Sequence, residues 1–129
     1  MSKQEVKNPG KKAATGSYSV GVICDGWLYV SGHAPQDLRT GEVIHGTIEE
    51  ETRIVLSHIG KVLAEAGCRF EDVVKSTCHL ANINDFNRFD SAYREFFTGV
   101  MPARTTVQSV LWGGVKVEID VIARIPSQG

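Results

Sequence analysis

An arginine and a glutamate near the end of the chain have the residue types that an acid–base reaction on a small anion needs. Arg104 follows Pro102-Ala103, and Glu118 lies 14 positions further on. A guanidinium can donate two parallel N–H bonds to a carboxylate or phosphate, and this fixes the orientation of the ligand. A glutamate can position a water molecule or accept its proton. Each residue alone is more often a solvated side chain on a strand, and only the surrounding pattern favours a catalytic role.

The segments that carry these two residues look like β-strands. Arg104 to Leu111 and Val115 to Arg124 are separated by Gly113-Gly114, which favours a tight turn. We therefore predict that the two segments form a hairpin. In the second segment every other residue from Val115 to Ala123 is apolar, which predicts one face buried under helices. The opposite face contains Ile122 among polar residues, which favours contact with another subunit over free solvent.

The first half of the chain predicts another hairpin. Ser17 to Cys24 and Trp27 to Gly32 are β-rich and are joined by Asp25-Gly26, a strong hairpin signal. Pro35 then ends the second strand, because proline cannot donate to a central ladder. Residues 1–16 are rich in lysine, glycine and small residues, and they predict an extended, flexible arm that is ordered only where it packs.

Two helices follow from the spacing of apolar residues. Thr47 and Glu50 form a capping-box pattern ahead of a long helix that ends at Gly67. Its apolar stripe consists of Val55, Leu56, Ile59, Val62, Leu63 and Ala66. Asn84 or Asp85 is expected to cap a second helix. Its apolar face is aromatic and is interpreted as core packing: Phe86, Phe89, Tyr93, Phe96 and Phe97.

The order of these elements predicts the fold class. Val73 to Ala81 is a further strand, so the chain reads β-β-α-β-α-β-β. Because this strand follows the long helix, the strand before that helix, the helix and this strand should form a right-handed crossover between parallel neighbours. We predict an α+β fold with a mixed β-sheet and both helices on one face. The other face of the sheet is left uncovered.

Composition narrows the classes of function. The chain has 129 residues, which fits a single domain over residues 1–129, and a formal net charge of -1. That charge, without a dense basic stripe, argues against nucleic acid as a partner. Three cysteines without Cys-x-x-Cys spacing and four separated histidines predict free thiols and no metal site. No segment is apolar enough to span a membrane or to act as a signal sequence, so we expect a cytoplasmic protein.

The pattern around the arginine and the glutamate resembles a known family. Pro102 to Val107, a glycine turn and Val115 to Ala123 resemble the C-terminal signature of the Rid (YjgF) family of enamine/imine deaminases. The resemblance extends along nearly the whole chain. Further matching segments are Gly16-Ser17-Tyr18, Val30-Ser31-Gly32, Thr40-Gly41-Glu42, Arg53 to Gly67, Asn84-Asp85-Phe86 and Tyr93 to Phe97.

The resemblance implies a fold, an assembly and an activity. It implies a chorismate-mutase-like homotrimer in which three sheets form a central barrel and ligand clefts lie between neighbouring subunits. It also implies hydrolysis of 2-aminoacrylate-type enamines and 2-imino acids, such as 2-iminobutanoate and 2-iminopropanoate, to 2-keto acids and ammonia. No cofactor is expected for this reaction, because the imine carbon is already electrophilic.

The same resemblance assigns roles to individual residues. Arg104 would bind the substrate carboxylate, and Glu118 would position and deprotonate the water. Thr106 stands where many members have a cysteine, and its backbone carbonyl would face the imine nitrogen. Tyr18 would line the cleft, and Ser31-Gly32 would form the loop close to the ligand. Tyr18 is almost as well explained as an anchor of the first strand, and Gly32 as an ordinary strand-end glycine.

Several positions depart from the commonest family pattern, and other functions stay open. His33 stands where glutamine is frequent, Asp90 where asparagine is common, Ser17 where proline is, and Trp112-Gly113-Gly114 replaces a leucine-proline turn. These changes touch the rim of the cleft and could alter selectivity. A protein that binds small carboxylates without turnover is the second hypothesis. An endoribonuclease or translation inhibitor, labels that some relatives carry, is the third and weakest.

Overall fold

The computed structural model describes residues 2–127, which form six strands and two α-helices around one sheet. The elements are β1 (Gln4–Val6), β2 (Gly21–Cys24), β3 (Trp27–His33), α1 (Ile48–Glu65), β4 (Val73–Leu80), α2 (Phe86–Tyr93), β5 (Ala103–Gln108) and β6 (Val117–Arg124). The strand order is β1-β2-β3-β6-β4-β5, and only β4 and β5 pair in parallel. The predicted mixed sheet with two helices is confirmed.

The first hairpin forms as predicted, but it has an additional strand beside it. Asp25 and Gly26 have φ angles of 53° and 80°. These values fit the turn whose twist matches that of the two strands it joins. Within the segment predicted to be an arm, β1 pairs antiparallel with β2, with Gln4 opposite Ile23. Regular structure therefore begins before Gly16, where the sequence prediction had started it.

Helix α1 begins and ends at the predicted residues. The Thr47 hydroxyl accepts a bond from the Glu50 N–H at 3.1 Å, and the Glu50 carboxylate accepts one from the Thr47 N–H at 2.8 Å. At the other end Gly67 has a φ of 78°, and Cys68 N–H donates to the Leu63 carbonyl at 2.8 Å. The apolar stripe is buried on the sheet, except that Ala66 is partly exposed.

Asp85 occupies the N-cap position of α2, as predicted, and the aromatic face of the helix is packed as expected. A short 3-10 turn, Ile83–Asp85, precedes the helix, and the Asn82 side chain accepts from the Asn84 N–H at 2.9 Å. The Asp85 side chain makes no capping hydrogen bond. The aromatic rings pack on one another in the core, with Tyr93 and Phe97 stacked at 4.6 Å between centroids.

The predicted second hairpin is wrong. Strand β4 lies between β5 and β6, parallel to β5 and antiparallel to β6. The segment after β5 passes over the end of β4, where Ser109 N–H donates to the Leu80 carbonyl and Ala81 N–H donates to the Lys116 carbonyl. Both ends of the connection are therefore bonded to β4, and β5 and β6 do not pair. Strand-forming residues and a glycine turn identify strands, but they do not choose the partner.

The prediction that β3, α1 and β4 form a crossover between neighbouring strands is also wrong. Strands β3 and β4 both run antiparallel to β6, so they point in the same direction. They are not neighbours, because β6 is inserted between them. The strand that fills this gap comes last in the chain, so the local order of elements around α1 could not reveal it.

A buried carboxylate fixes the start of β6 to α1. Glu51 is fully buried and accepts hydrogen bonds from Gly46 N–H at 3.1 Å and Lys116 N–H at 2.7 Å. The Lys116 ammonium adds an ion pair at 3.2 Å. Because a buried charge is tolerated only when it is paired, these three donors hold the strand that carries Glu118 in one position.

Candidate active site

Arg104 and Glu118 lie on opposite faces of the sheet. Arg104 is the register partner of Ser76, whose hydroxyl shares a 2.7 Å hydrogen bond with Tyr93 of α2, so this pair faces the helices. Glu118 alternates with fully buried Val117 and Ile119 and therefore faces away from the helices. The predicted pairing of clamp and carboxylate does not form within one chain.

The distance between the two residues follows from the register. Arg104 is opposite Ser76 and Glu118 is opposite His79, so the two lie three residues apart along β4 and on either side of it. From a rise of about 3.3 Å per residue and a spacing of about 4.8 Å between strands, their backbones are on the order of 14 Å apart. A small substrate cannot contact both side chains of the same subunit.

The Arg104 guanidinium is held by aromatic rings and by a carboxylate. Its central carbon lies 5.3, 5.6 and 4.7 Å from the ring centroids of Phe86, Phe89 and Tyr93. Its Nη1 donates to Asp90 Oδ1 at 2.7 Å. The side chain is 22% exposed, so solvent and a ligand reach part of it. Arg104 is thus a fixed cation with an accessible edge, which suits a carboxylate ligand.

Asp90 is shared between two arginines. Its other oxygen, Oδ2, accepts from Arg94 Nη2 at 2.7 Å. Burial works to raise the pKa of Asp90, but the hydrogen bonds and charges of Arg94 and Arg104 outweigh it and hold this pKa below its usual value. The three charged groups, with Tyr93, Met101 and Pro102, line a cavity of about 320 Å³. The cavity has a net charge of one positive unit at neutral pH.

Strand β5 forms an edge of the sheet and offers free backbone groups beside this cavity. In a strand, successive residues direct their N–H and C=O groups to opposite sides. Ser109 N–H bonds to β4, so residues of the opposite parity, Arg104 and Thr106, direct their backbone groups to the open edge. The Thr106 hydroxyl is buried and has no hydrogen-bond partner within residues 2–127. The Thr106 carbonyl is therefore positioned to bind a ligand or a neighbouring chain.

Gly32 and Glu118 meet at an irregularity of the sheet. Val30 is opposite Val121 and His33 is opposite Ile119, so β3 has one extra residue in a bulge that contains Ser31 and Gly32. A Cβ atom at Gly32 would lie 2.7 Å from Glu118 Oε2, so only glycine leaves the carboxylate in this position. Glu118 is half-buried, and its carboxylate makes no hydrogen bond or ion pair with any other residue between 2 and 127.

Tyr18 and Ser31 belong to the same neighbourhood as Gly32. The Ser31 hydroxyl donates to the Ser19 carbonyl at 2.6 Å, and Ser31 N–H donates to the Val20 carbonyl at 2.9 Å. These bonds hold the segment before β2 against the bulge. Tyr18 is 53% exposed and, with Gly32, lines a small crevice. Ser31 therefore positions the backbone of this region, and its hydroxyl is already bonded.

Two histidines form the inner wall of that crevice. His33 Nδ1 donates to the Ser31 carbonyl at 2.7 Å, and His58 Nε2 donates to the Gln36 carbonyl at 2.7 Å. Burial lowers the pKa of His33 to about 4, and it also lowers the pKa of His58. His33 is therefore neutral at pH 7 and supports the bulge without adding charge to it.

The site residues thus form two groups. The first contains Arg104 and Thr106 on β5, and the second contains Tyr18, Ser31, Gly32 and Glu118 around the bulge. Sequence reasoning noted Asp90 only as a departure from a pattern and missed Arg94. The spacing of four residues between them on a helix was a usable signal, since such pairs face each other.

Some other kinds of site are absent from the described part of the chain. Residues 2–127 contain no group of three or more metal-ligating side chains in a suitable arrangement. The three cysteines are free thiols, and Cys68 and Cys78 are buried. Neither helix between residues 2 and 127 has the length and apolar character required to cross a bilayer.

The sequence of this chain is similar to one protein family and to several of its members. Residues 9–125 match the family model described as endoribonuclease L-PSP. A 2-iminobutanoate/2-iminopropanoate deaminase of Rattus norvegicus is 41% identical over 112 residues, covering 86% of this chain and 82% of the relative. A Lactococcus lactis protein named as a regulator, AldR, is 42% identical over 116 residues, covering 89% and 92%.

Solved structures have the same fold. A Yersinia pestis protein of the conserved Rid family, YyfA, superposes with a TM-score of 0.90 at 36% identity, covering 96% of this chain and all of the other. Escherichia coli TdcF with bound serine superposes with a TM-score of 0.85 at 28% identity, covering 94% and 98%. These similarities cover nearly the full length of each chain.

Proposed function

This chain belongs to the Rid (YjgF) family, and we propose that it hydrolyses 2-imino acids and their enamine tautomers to 2-keto acids and ammonia. The observation that carries the proposal is the Arg104 guanidinium, fixed by three rings and Asp90 with part of its surface accessible. Relatives named as deaminases of 2-iminobutanoate and 2-iminopropanoate support the substrate class.

In this reaction Arg104 binds the planar carboxylate of the imino acid and orients the C=N group. The Thr106 carbonyl, which faces the open edge of β5, accepts a hydrogen bond from the imine nitrogen. Glu118 takes a proton from a water whose oxygen attacks the imine carbon, and this gives a carbinolamine. Glu118 then returns its proton to the nitrogen, and the C–N bond breaks as the hydroxyl oxygen forms the C=O bond and gives up its own proton, so the products are ammonia and a 2-keto acid.

The two groups of residues act together only across a subunit boundary. Within one chain Arg104 and Glu118 lie on opposite sheet faces, on the order of 14 Å apart. We infer a homotrimer in which Arg104 of one subunit approaches Glu118 of the next, with the uncovered sheet faces forming a central barrel. The partly exposed Tyr29 and Ile122 on that face support its burial in an assembly.

A coupled assay tests the activity. An amino-acid oxidase makes 2-iminopropanoate and longer imines in situ, and semicarbazide traps whatever imine is left. We expect less trapping with the wild type and no such decrease with Arg104→Ala. Arg88→Gln is a matched control, because it removes one arginine charge from a helix near the site while its bonds to Glu49 lie outside it. Equal trapping with and without wild-type protein, for every imine, contradicts the proposal.

Mixing two inactive variants tests the shared site. When Arg104→Ala and Glu118→Gln chains are co-expressed, random assembly leaves both residues intact at about one site in four. We expect about a quarter of the wild-type rate from the mixture and almost none from either variant alone. An inactive mixture of verified hetero-oligomers would mean that both residues act from the same chain.

A binding protein without turnover is the second candidate, favoured by the relative named as a regulator and by the serine-bound neighbour. In that case Glu118→Ala retains 2-keto acid affinity and no imine is hydrolysed by the wild type. The family description as endoribonuclease gives a third outcome, which the net charge of -1 disfavours. RNA cleavage that follows the protein through purification and persists in Arg104→Ala would support it. A cytoplasmic location stays a prediction.

A further inference from the structure

We propose that Asp90 and Arg94 set the affinity of Arg104 for a carboxylate ligand. Arg94 is a positioning residue that acts on Arg104 through Asp90, and we call these two linked ion pairs the charge relay. The inference rests on the proposed function for the nature of the ligand. It assigns no direct ligand contact to Arg94. It concerns three side chains joined by two ion pairs on the two oxygens of one carboxylate.

The first step is the competition for Arg104. Asp90 Oδ1 accepts from Arg104 Nη1 at 2.7 Å, which is a short, charge-assisted bond. A ligand carboxylate at Arg104 therefore meets a cation whose charge is already partly neutralised, and it also meets the negative charge of Asp90. Asp90 is 23% exposed, so water screens this repulsion only in part. Asp90 thus orients the clamp and at the same time weakens it.

The second step is the effect of Arg94 on Asp90. Arg94 Nη2 donates to Asp90 Oδ2 at 2.7 Å, from four residues further along the chain. The positive charge of Arg94 partly offsets the negative charge of Asp90, so Asp90 cancels less of the attraction between Arg104 and a ligand carboxylate. Arg94 itself is 67% exposed, so its own field at the ligand is screened by solvent and salt. Its main influence therefore passes through Asp90.

The charges of the two variants predict changes in ligand affinity whose directions a purely structural role would not produce. Arg94→Gln leaves Asp90 to neutralise Arg104 alone, so ligand affinity falls. Asp90→Asn keeps an oxygen that can accept from Arg104 but removes the negative charge, so ligand affinity rises. A residue that only held the pocket together would weaken binding when it was replaced. An increase in affinity therefore identifies charge competition.

The experiment is a double-mutant cycle on the full-length protein, with 2-oxobutanoate as the probe and its Kd measured by titration calorimetry at low salt. We expect Arg94→Gln to raise Kd about threefold, in the range for exposed ion pairs. Asp90→Asn should lower it about fivefold or more, because a charge-assisted competitor is lost. In the Asp90→Asn background, Arg94→Gln should change Kd by less than about 1.5-fold.

The matched control and the kinetics refine the result. Arg88→Gln also removes one positive charge. Arg88 lies on α2, is 58% exposed, and pairs with Glu49 and not with Asp90. The substitution should leave Kd within about 1.5-fold of the wild-type value. In the deaminase assay the Asp90 and Arg94 variants should change KM and leave kcat within about twofold, since they alter binding of the carboxylate.

Three outcomes would overturn the relay. An Arg94→Gln effect of equal size in both backgrounds would mean that Arg94 acts on the ligand directly. Weaker binding by a folded Asp90→Asn protein would mean that Asp90 has a structural role. If the wild type did not bind 2-oxobutanoate, Arg104 would not be a carboxylate-binding residue and the relay would have no function. By contrast, the double-mutant cycle could give the expected Kd values while the wild type hydrolyses no imine. That result would contradict the proposed deaminase activity and would still support the relay.

Discussion

The two halves of the proposed site differ in how completely their charged groups are partnered. Arg104 is packed against three rings and bonded to Asp90, which is bonded in turn to Arg94. The Glu118 carboxylate lies beside Gly32 and has no polar partner within residues 2–127. A group that must orient an anion benefits from being held before the ligand arrives. A group that must take a proton from water needs free lone pairs, and the Glu118 half provides them.

The largest expected effect comes from removing the unpartnered carboxylate. Glu118→Gln keeps the size of the side chain but cannot accept a proton from water, so kcat should fall on the order of 10³-fold. The Kd for 2-oxobutanoate should stay within about threefold of wild type, because the Arg104 half is unchanged. Single-turnover kinetics and calorimetry measure the two quantities. A large loss of affinity would mean that the two halves are not functionally separate.

Acid should weaken the Glu118 half before the Arg104 half. Burial lowers the pKa of His33 to about 4, whereas a histidine in the unfolded chain titrates near 6.5. Between these values the unfolded chain binds the proton and the folded chain does not, so the free energy of unfolding falls as pH falls through this window. The loss is on the order of 3 kcal/mol. Asp90, whose pKa is lowered, stays charged over the same range.

Urea unfolding of wild type and His33→Gln between pH 4 and 7 measures that difference. We expect a smaller pH dependence in His33→Gln, with the remaining slope due in part to His58, whose pKa is also lowered. Identical slopes in the two proteins would show that His33 does not differ in protonation between the folded and unfolded states. His33 would then not make the Glu118 half of the site more sensitive to acid than the Arg104 half.

A smaller effect is expected when the clamp keeps its charge but loses its shape. Lysine at position 104 retains a cation but cannot donate as a planar fork or stack on Phe86, Phe89 and Tyr93 in the same way. KM should rise about 30-fold, which corresponds to about 2 kcal/mol. Steady-state kinetics with one imine check this. Equal KM values for Arg104→Lys and wild type would mean that charge alone recognises the carboxylate.

The smallest of the four effects should follow from a single methyl group. Gly32→Ala places a Cβ atom 2.7 Å from Glu118 Oε2, and the carboxylate must move. Because the obstructing atom is the end of a flexible side chain, we expect nearly unchanged stability and about a tenfold lower kcat. Gly10→Ala is the control, since its Cβ would have no neighbour closer than 3.5 Å. Unchanged kcat would show that the position of Glu118 is not critical.

Local patterns predicted the elements well and the pairing of strands poorly. The capping box at Thr47, the exit at Gly67 and the turn at Asp25-Gly26 all form as expected. Each depends on interactions between residues a few positions apart. The predicted hairpin of β5 and β6 does not form, because both strands pair with β4, which comes much earlier in the chain. The bulge at Ser31-Gly32 depends on β6 in the same way.

By itself the sequence determined the two helices, every strand except β1, and the face of β6 that is buried, because these follow from backbone propensity and from the period of apolar residues. It also contained Arg104, Glu118 and the glycine that lies against that carboxylate. Only the tertiary structure decided that Arg104 and Glu118 occupy opposite faces of the sheet and that Asp90 joins Arg104 to Arg94. These relations depend on which strands pair and how helices pack, and contacts between distant segments set both.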